Sequence, residues 1–218
     1  MLLYNYMNFH IKECYHEKNK ISNTIPLFIC MLLVACEEEK ANTKDNELSA
    51  SVHASTEDIS YKQAVAEADL IVEVSIQKMQ GVIEGGSNII AKTKFEGQVN
   101  NVYTGSKKVT DTISILQEGK NGMEIENYPL FEPGENYILI LMDSGDGKTY
   151  WIKGQLNGTY LIEDKSTLKF GKQEVTLPEK KDISDVEASI IEKQKETGGN
   201  SQILDTVKFK KQIQNDVE

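Results

Sequence analysis

Side chains that can exchange protons, attack a carbonyl or hold a metal are scarce in this chain outside its carboxylates. Of the three histidines, His10 and His16 lie among the first twenty residues and only His53 lies further on. A serine-histidine-aspartate triad would have to use His53, and no Gly-x-Ser-x-Gly elbow accompanies it. The chain has no His-Glu-x-x-His, Cys-x-x-Cys or phosphate-loop pattern. Zinc would lack its nitrogen and sulfur ligands, so no metal and no cofactor is expected. Asp143, Ser144, Asp146 and Gly147 resemble part of a calcium loop. However, the acids stand at positions one and four, where such a loop needs one, three and five and a distant glutamate. The segment therefore reads as a hairpin turn. Glu73, Glu96, Asp111 and Glu118 all fall on segments that read as strands. Hydrolysis by a carboxylate pair needs two such groups facing each other across about 5–10 Å, a condition that only the fold can meet. Five aromatic residues, Tyr103, Tyr128, Phe131, Tyr150 and Trp151, are the candidates for contact with a peptide, protein or glycan. Against this stands the tendency of tyrosines at strand spacing to pack inward with a wet hydroxyl.

The three cysteines are Cys14, Cys30 and Cys36. Cys36 closes the run Leu33-Val34-Ala35-Cys36, the end of an apolar stretch that begins near Ile25 and follows Lys18 and Lys20. From Ile21 to Ala35 is fifteen residues, interrupted by Ser22, Asn23, Thr24 and Pro26. A spanning helix needs roughly 20 apolar residues, so the segment is short for an anchor. Basic residues, a short apolar run and a small residue at its end compose a secretory signal. With a cysteine directly after Ala35, the pattern resembles a bacterial lipoprotein signal. The resemblance implies cleavage before Cys36 and a lipid on Cys36, which would hold the protein at the outer face of the bacterial cell membrane. Residues 1–35 are then the signal peptide, long for its class, and a start at Met7 would shorten it. The mature chain would keep a single, lipid-linked cysteine and no disulfide, leaving a packed core to hold the domain together.

Without the leader's three lysines and two glutamates, 21 lysines remain against 32 acids, a net charge of −11. Arginine is absent altogether. Phosphate-backbone binding needs a basic surface, so nucleic acid is not an expected partner. Lysine-only usage suits an AT-rich genome. Residues 36–58 are polar and acidic, with Leu48 and Val52 too scattered to build an apolar face. They read as a disordered tether with a reach of about 25 Å, and His53 lies within it as an exposed side chain.

The domain proper is read as residues 59–178. A short helix over Ser60 to Ala68 precedes a change to period two, with Leu70, Val72, Val74 and Ile76 alternating against Asp69, Glu73, Ser75 and Gln77. Ile71 falls on the outer face. A turn at 84–88 leads to the alternation of Ile89 through Val99, predicting a long hairpin in which Lys92, Lys94, Glu96 and Gln98 point outward. Gly97 within that strand predicts a bulge or bend. Further strands are expected at Thr110 to Gln117, Tyr137 to Met142, Thr149 to Lys153, Thr159 to Glu163 and Thr167 to Phe170. The six apolar residues from Tyr137 predict a strand covered on both faces. The fold class is mainly β, a small antiparallel OB-like barrel or sandwich with a short N-terminal helix and C-terminal helices.

Four spaced segments carry a further resemblance: 68–74, Val102-Tyr103-Thr104-Gly105, 129–139 and Gly154-Gln155-Leu156-Asn157-Gly158. Together they are similar to a group of uncharacterised secreted Gram-positive proteins, whose fold is an OB-like barrel akin to netrin and metalloproteinase-inhibitor domains. The resemblance implies the barrel and no catalytic residue. Inhibitors of that fold rely on disulfides and a free amino-terminal cysteine, which this chain would lack.

Residues 179–218 read as a helical segment. Ser184 and Glu187 have capping-box spacing, Ile183, Val186, Ile190 and Ile191 form a stripe, and Thr197-Gly198-Gly199-Asn200 ends the helix. A second short helix over Ile203 to Phe209 is expected to pack back on the barrel. The functional expectation is a lipid-anchored, non-enzymatic binding or accessory module at the cell envelope, with the membrane and an envelope protein or peptide as partners. The alternative is a carboxylate-dependent envelope hydrolase.

Overall fold

A computed structural model describes residues 59–218 apart from Asn88, Glu124, 172–175 and Lys181. The leader, Cys36, the 36–58 segment and His53 lie outside the described residues.

Five strands close into a barrel: β1 (Leu70–Ile83), β2 (Lys92–Thr104), β3 (Thr112–Glu118), β4 (Asn136–Asp143) and β5 (Thr149–Ile152). Their order around the barrel is β1-β2-β3-β5-β4 and back to β1, with β3 and β5 parallel and the other pairs antiparallel. This is the OB-like barrel that the alternation predicts. β6 (Thr159–Ile162), β7 (Ser166–Phe170) and β8 (Ser201–Asp205) then continue the sheet from β4. Three helices complete the described residues, α1 (Tyr61–Ala66), α2 (Ala188–Glu196) and α3 (Thr206–Val217), with a 3-10 turn at Gln155–Gly158.

Alternation divides the apolar residues between two cores. Tyr137, Leu139 and Leu141 of β4 point into the barrel with Leu70, Val72, Val74 and Ile76 of β1. Ile138 and Ile140 point the other way, onto Tyr61 and Val65 of α1 and Phe209 and Ile213 of α3. β4 is therefore buried on both faces, as its unbroken apolar run predicts. Each such side chain contributes about 1.5–3 kcal/mol when fully buried, so the outer core is a second source of stability beside the barrel.

Three sequence expectations are corrected. Ile71 does face outward, but it is fully buried because α1 and α3 cover that side of β1. The second helix expected over Ile203 to Phe209 does not start at Ile203, because residues 201–205 form β8, paired antiparallel with β7. The turn at Gly198 and Gly199, both at positive φ, delivers the chain to the open edge of β7. There Ile203 and Leu204 gain ladder partners and burial together, and the helix starts only at Thr206, capped by Asp205. The Ser184–Glu187 capping box does not form. α2 begins at Ala188 with Glu187 as its N-cap, and the Glu187 carboxylate accepts the Lys165 amide instead at 2.7 Å.

α2 is held against the 129–135 loop by Lys193, whose ammonium is buried and lies 2.9 Å from Glu132 and 3.1 Å from Glu135. Burial pulls this lysine's pKa down, but the two carboxylates outweigh it and hold the group above its ordinary value. Its contribution is therefore complete at neutral pH and fades only in the alkaline range.

Candidate functional site

The barrel sorts the five candidate aromatics by burial. Tyr128, Phe131 and Tyr150 lie in its core, each less than 5% exposed. The Tyr128 hydroxyl is satisfied by Thr159 at 2.7 Å. Tyr103 is half-buried and donates its hydroxyl to Glu73 at 2.5 Å. Trp151 alone of the five keeps a large open surface, at 38% exposure.

Trp151 is outward because its neighbours Tyr150 and Ile152 are inward on a short strand with strict alternation. Register places it in a row across four strands. Lys94 pairs with Leu116, Leu116 with Trp151, and Trp151 with Met142. Met142 is also exposed, and the Lys92 ammonium stands over the indole, 5.1 Å from the ring centroid. Such a cation–π contact at an exposed site is worth about 0.5–1 kcal/mol, weak enough to be exchanged for a ligand. The face thus combines a flat aromatic surface, a flexible thioether and two lysines. Leu116, beneath them, is buried and serves as its floor. The alternation of β2 had already set Lys92 and Lys94 outward. Their meeting with Trp151 and Met142 depends on the parallel β3–β5 pairing, which nothing local in the chain announces.

A second feature lies beside β1. Glu73, Asn100, Asn136, Ile162, Glu163, Asp164 and Lys210 line a pocket of about 220 Å³. Glu73 accepts from Tyr103, from Asn101 at 3.2 Å and from Lys210 at 2.7 Å. The Ser75 hydroxyl donates to Asn136 and accepts from Asn100, so the polar rim is tied together. Burial raises the pKa of Glu73, but the bonds from Lys210, Tyr103 and Asn101 prevail and leave it below the usual glutamate value. A depressed carboxylate stabilises the fold above its unfolded pKa and loses that contribution as pH falls through its folded pKa. Lys210→Met is therefore expected to lower the urea midpoint at pH 7 and to leave the acid-side decline of stability shallower than in the parent. A parallel pair of midpoint-versus-pH curves would refute this role of Lys210.

The other three acids are dispersed, and Asp111, expected on a strand, lies just before β3. Glu96 meets Lys78 at 3.4 Å and Gln80 at 3.0 Å, and Asp111 accepts the Lys108 amide. Glu118 stands opposite Lys92 in the β2–β3 ladder. Glu73 is the one of the four that lines the pocket, in the company of Glu163 and Asp164. The 143–147 segment is the hairpin turn expected of it. Asp143 accepts the amides of Gly145 and Gly147, and Asp146 those of Lys148 and Thr149. These backbone bonds push the pKa of Asp146 down to about 2. Among the described residues, no group of three or more histidine, cysteine, aspartate or glutamate side chains is arranged to hold a metal ion. No described helix is long and apolar enough to cross a membrane.

No protein-family model matches the chain. Over 62 residues, 27% of the chain, it is 31% identical to a sorbitol dehydrogenase of Sus scrofa. That stretch spans 63% of the length of the dehydrogenase, less than two thirds.

Proposed function

We propose that this chain is a lipid-anchored extracytoplasmic binding module, tethered through Cys36 at the outer face of a bacterial cell membrane. It holds an envelope protein or peptide on the Trp151 face. The Leu33-Val34-Ala35-Cys36 pattern supports the anchor. The exposure of Trp151, while Tyr128, Phe131 and Tyr150 are spent on the core, is the observation that carries the binding role. OB-type barrels use the face of strands 2 and 3 with adjoining loops to bind extended polymers, oligonucleotides and oligosaccharides, and Lys94 and Leu116 lie on those strands. The short similarity to a sorbitol dehydrogenase covers about a quarter of the chain and does not enter this reading.

Two measurements test it on the native protein. Intact mass spectrometry of the membrane-extracted chain is expected to show residues 1–35 removed and a diacylglyceryl group on Cys36; an uncleaved chain removes the anchor. Photo-crosslinking from position 142 in living cells is expected to give a discrete adduct that Trp151→Ala weakens by about tenfold. An adduct of undiminished yield would place the contact elsewhere.

The hydrolase alternative draws on the pocket shared by Glu73, Glu163 and Asp164. Because Lys210 keeps Glu73 ionised, it would serve there as base or nucleophile and not as proton donor. Retained turnover of envelope glycan by Glu73→Gln would end that reading.

A further inference from the structure

We infer that the partner held on the Trp151 face is an acidic, extended peptide segment carrying a large apolar side chain next to its carboxylates. This rests on the binding-module reading and adds the chemistry of the ligand. The argument is charge complementarity on an otherwise acidic protein. The whole chain carries −10, yet the β2 end of this face carries two lysines. Lys94 forms no ion pair among the described residues, and Lys92 stands over the indole at 5.1 Å while donating to the Ile90 carbonyl at a long 3.4 Å. Glu96, the neighbouring acid on β2, is already neutralised by Lys78, and Glu118 sits opposite Lys92 one row away. A free ammonium and a lysine that can swing from a ring to an anion select negative charge. At the other end of the row, Met142 and the open part of Trp151 offer apolar contact that a purely ionic polymer would leave unused. The row crosses four strands, about 14 Å at the usual strand spacing, which matches about four residues of extended chain. The ligand's carboxylates would thus lie toward β2 and its apolar side chain toward β4.

The full chain, extracted in detergent, reports its own binding, because Trp151 is its single tryptophan. The probes are the acetylated peptide amides Glu-Glu-Leu-Phe and Gln-Gln-Leu-Phe and long-chain polyphosphate. A saturable blue shift of Trp151 fluorescence with the acidic peptide is expected. It should be about tenfold weaker with the glutamine peptide and with Lys94→Glu, and kept by Lys94→Arg. Equal affinity for both peptides, or a response to polyphosphate alone, overturns the inference. The crosslink from position 142 separates the two levels of argument. A Trp151-dependent adduct whose captured segment lacks acidic residues sinks the ligand chemistry and leaves the module. The lack of both adduct and fluorescence response sinks both.

Discussion

Gly97→Val is expected to cost about 3 kcal/mol of folding free energy or more, enough to leave a marginal domain largely unfolded. Gly97 lies in β2, between Ile76 of β1 and Ile113 of β3. A methyl group placed there would run into Val74 Cγ2 and would stand 2.8 Å from Ile115 Cδ1. Both of those side chains belong to the barrel core and are fully buried, so neither has room to yield. Glycine at this position lets β1 and β3 close over β2. Opposite it, β1 carries one extra residue, where its register shifts between Ile76 and Lys78. Intrinsic propensity argues the other way, because replacing a mid-strand glycine ordinarily gains about 0.5–1 kcal/mol. The sign of the effect is therefore diagnostic. Urea unfolding followed by Trp151 fluorescence should show a much lower midpoint for Gly97→Val and an intermediate one for Gly97→Ala. A midpoint at or above the parent's would mean that Val74 and Ile115 do not meet across this position.

Phe209→Ala is expected to lose about 3–5 kcal/mol. Phe209 is fully buried, with its ring 4.7 Å from Tyr160 and 6.1 Å from Tyr61. It joins the last helix to the first helix and to the outer face of the sheet. The Tyr61 hydroxyl repeats the connection by donating to Asp216 at 2.9 Å. Truncating the ring would open a cavity beneath both helices, so the loss should be shared. Hydrogen exchange is expected to show α1 amides such as Ala64 and Glu67 losing protection together with those of α3. A loss below about 1 kcal/mol, or fast exchange confined to α3, would show the C-terminal helix to be an accessory to the barrel and not part of its core.

These two sites differ in how far the chain announces them. A glycine in an alternating strand signals a bulge or a bend, and the register shift between Ile76 and Lys78 of β1 lies opposite Gly97. Phe209 gives no comparable signal. It sits in a short apolar cluster with Ile203 and Leu204 that fits a helix and a strand equally well. Pairing with β7 decides for a strand at 201–205, and Asp205 then starts the helix by capping Lys208. The candidate site divides in the same way. The outward lysines follow from alternation, whereas Trp151 is separated from the inward-packing aromatics only by its degree of burial in the fold, and the Lys210–Glu73 pair joins residues 137 apart in sequence. The Trp151–Leu116 neighbourhood needs a parallel pairing that no turn sequence encodes.

By itself, the sequence determined the mainly β class, the approximate strands, the doubly buried β4, the hairpin turn at 143–147 and the outward direction of Lys92 and Lys94. Each is a local property, because side-chain direction alternates with the backbone and turn chemistry acts over a few residues. Only the tertiary structure decided which outward faces stay outward. Ile71 and Trp151 both point away from the barrel, and the difference between a fully buried isoleucine and a tryptophan left 38% exposed is that α1 and α3 pack over Ile71, whereas Trp151 has the Lys92 ammonium over its ring. That choice depends on packing between segments far apart in the chain, where burial of apolar area repays the ordering of both partners together.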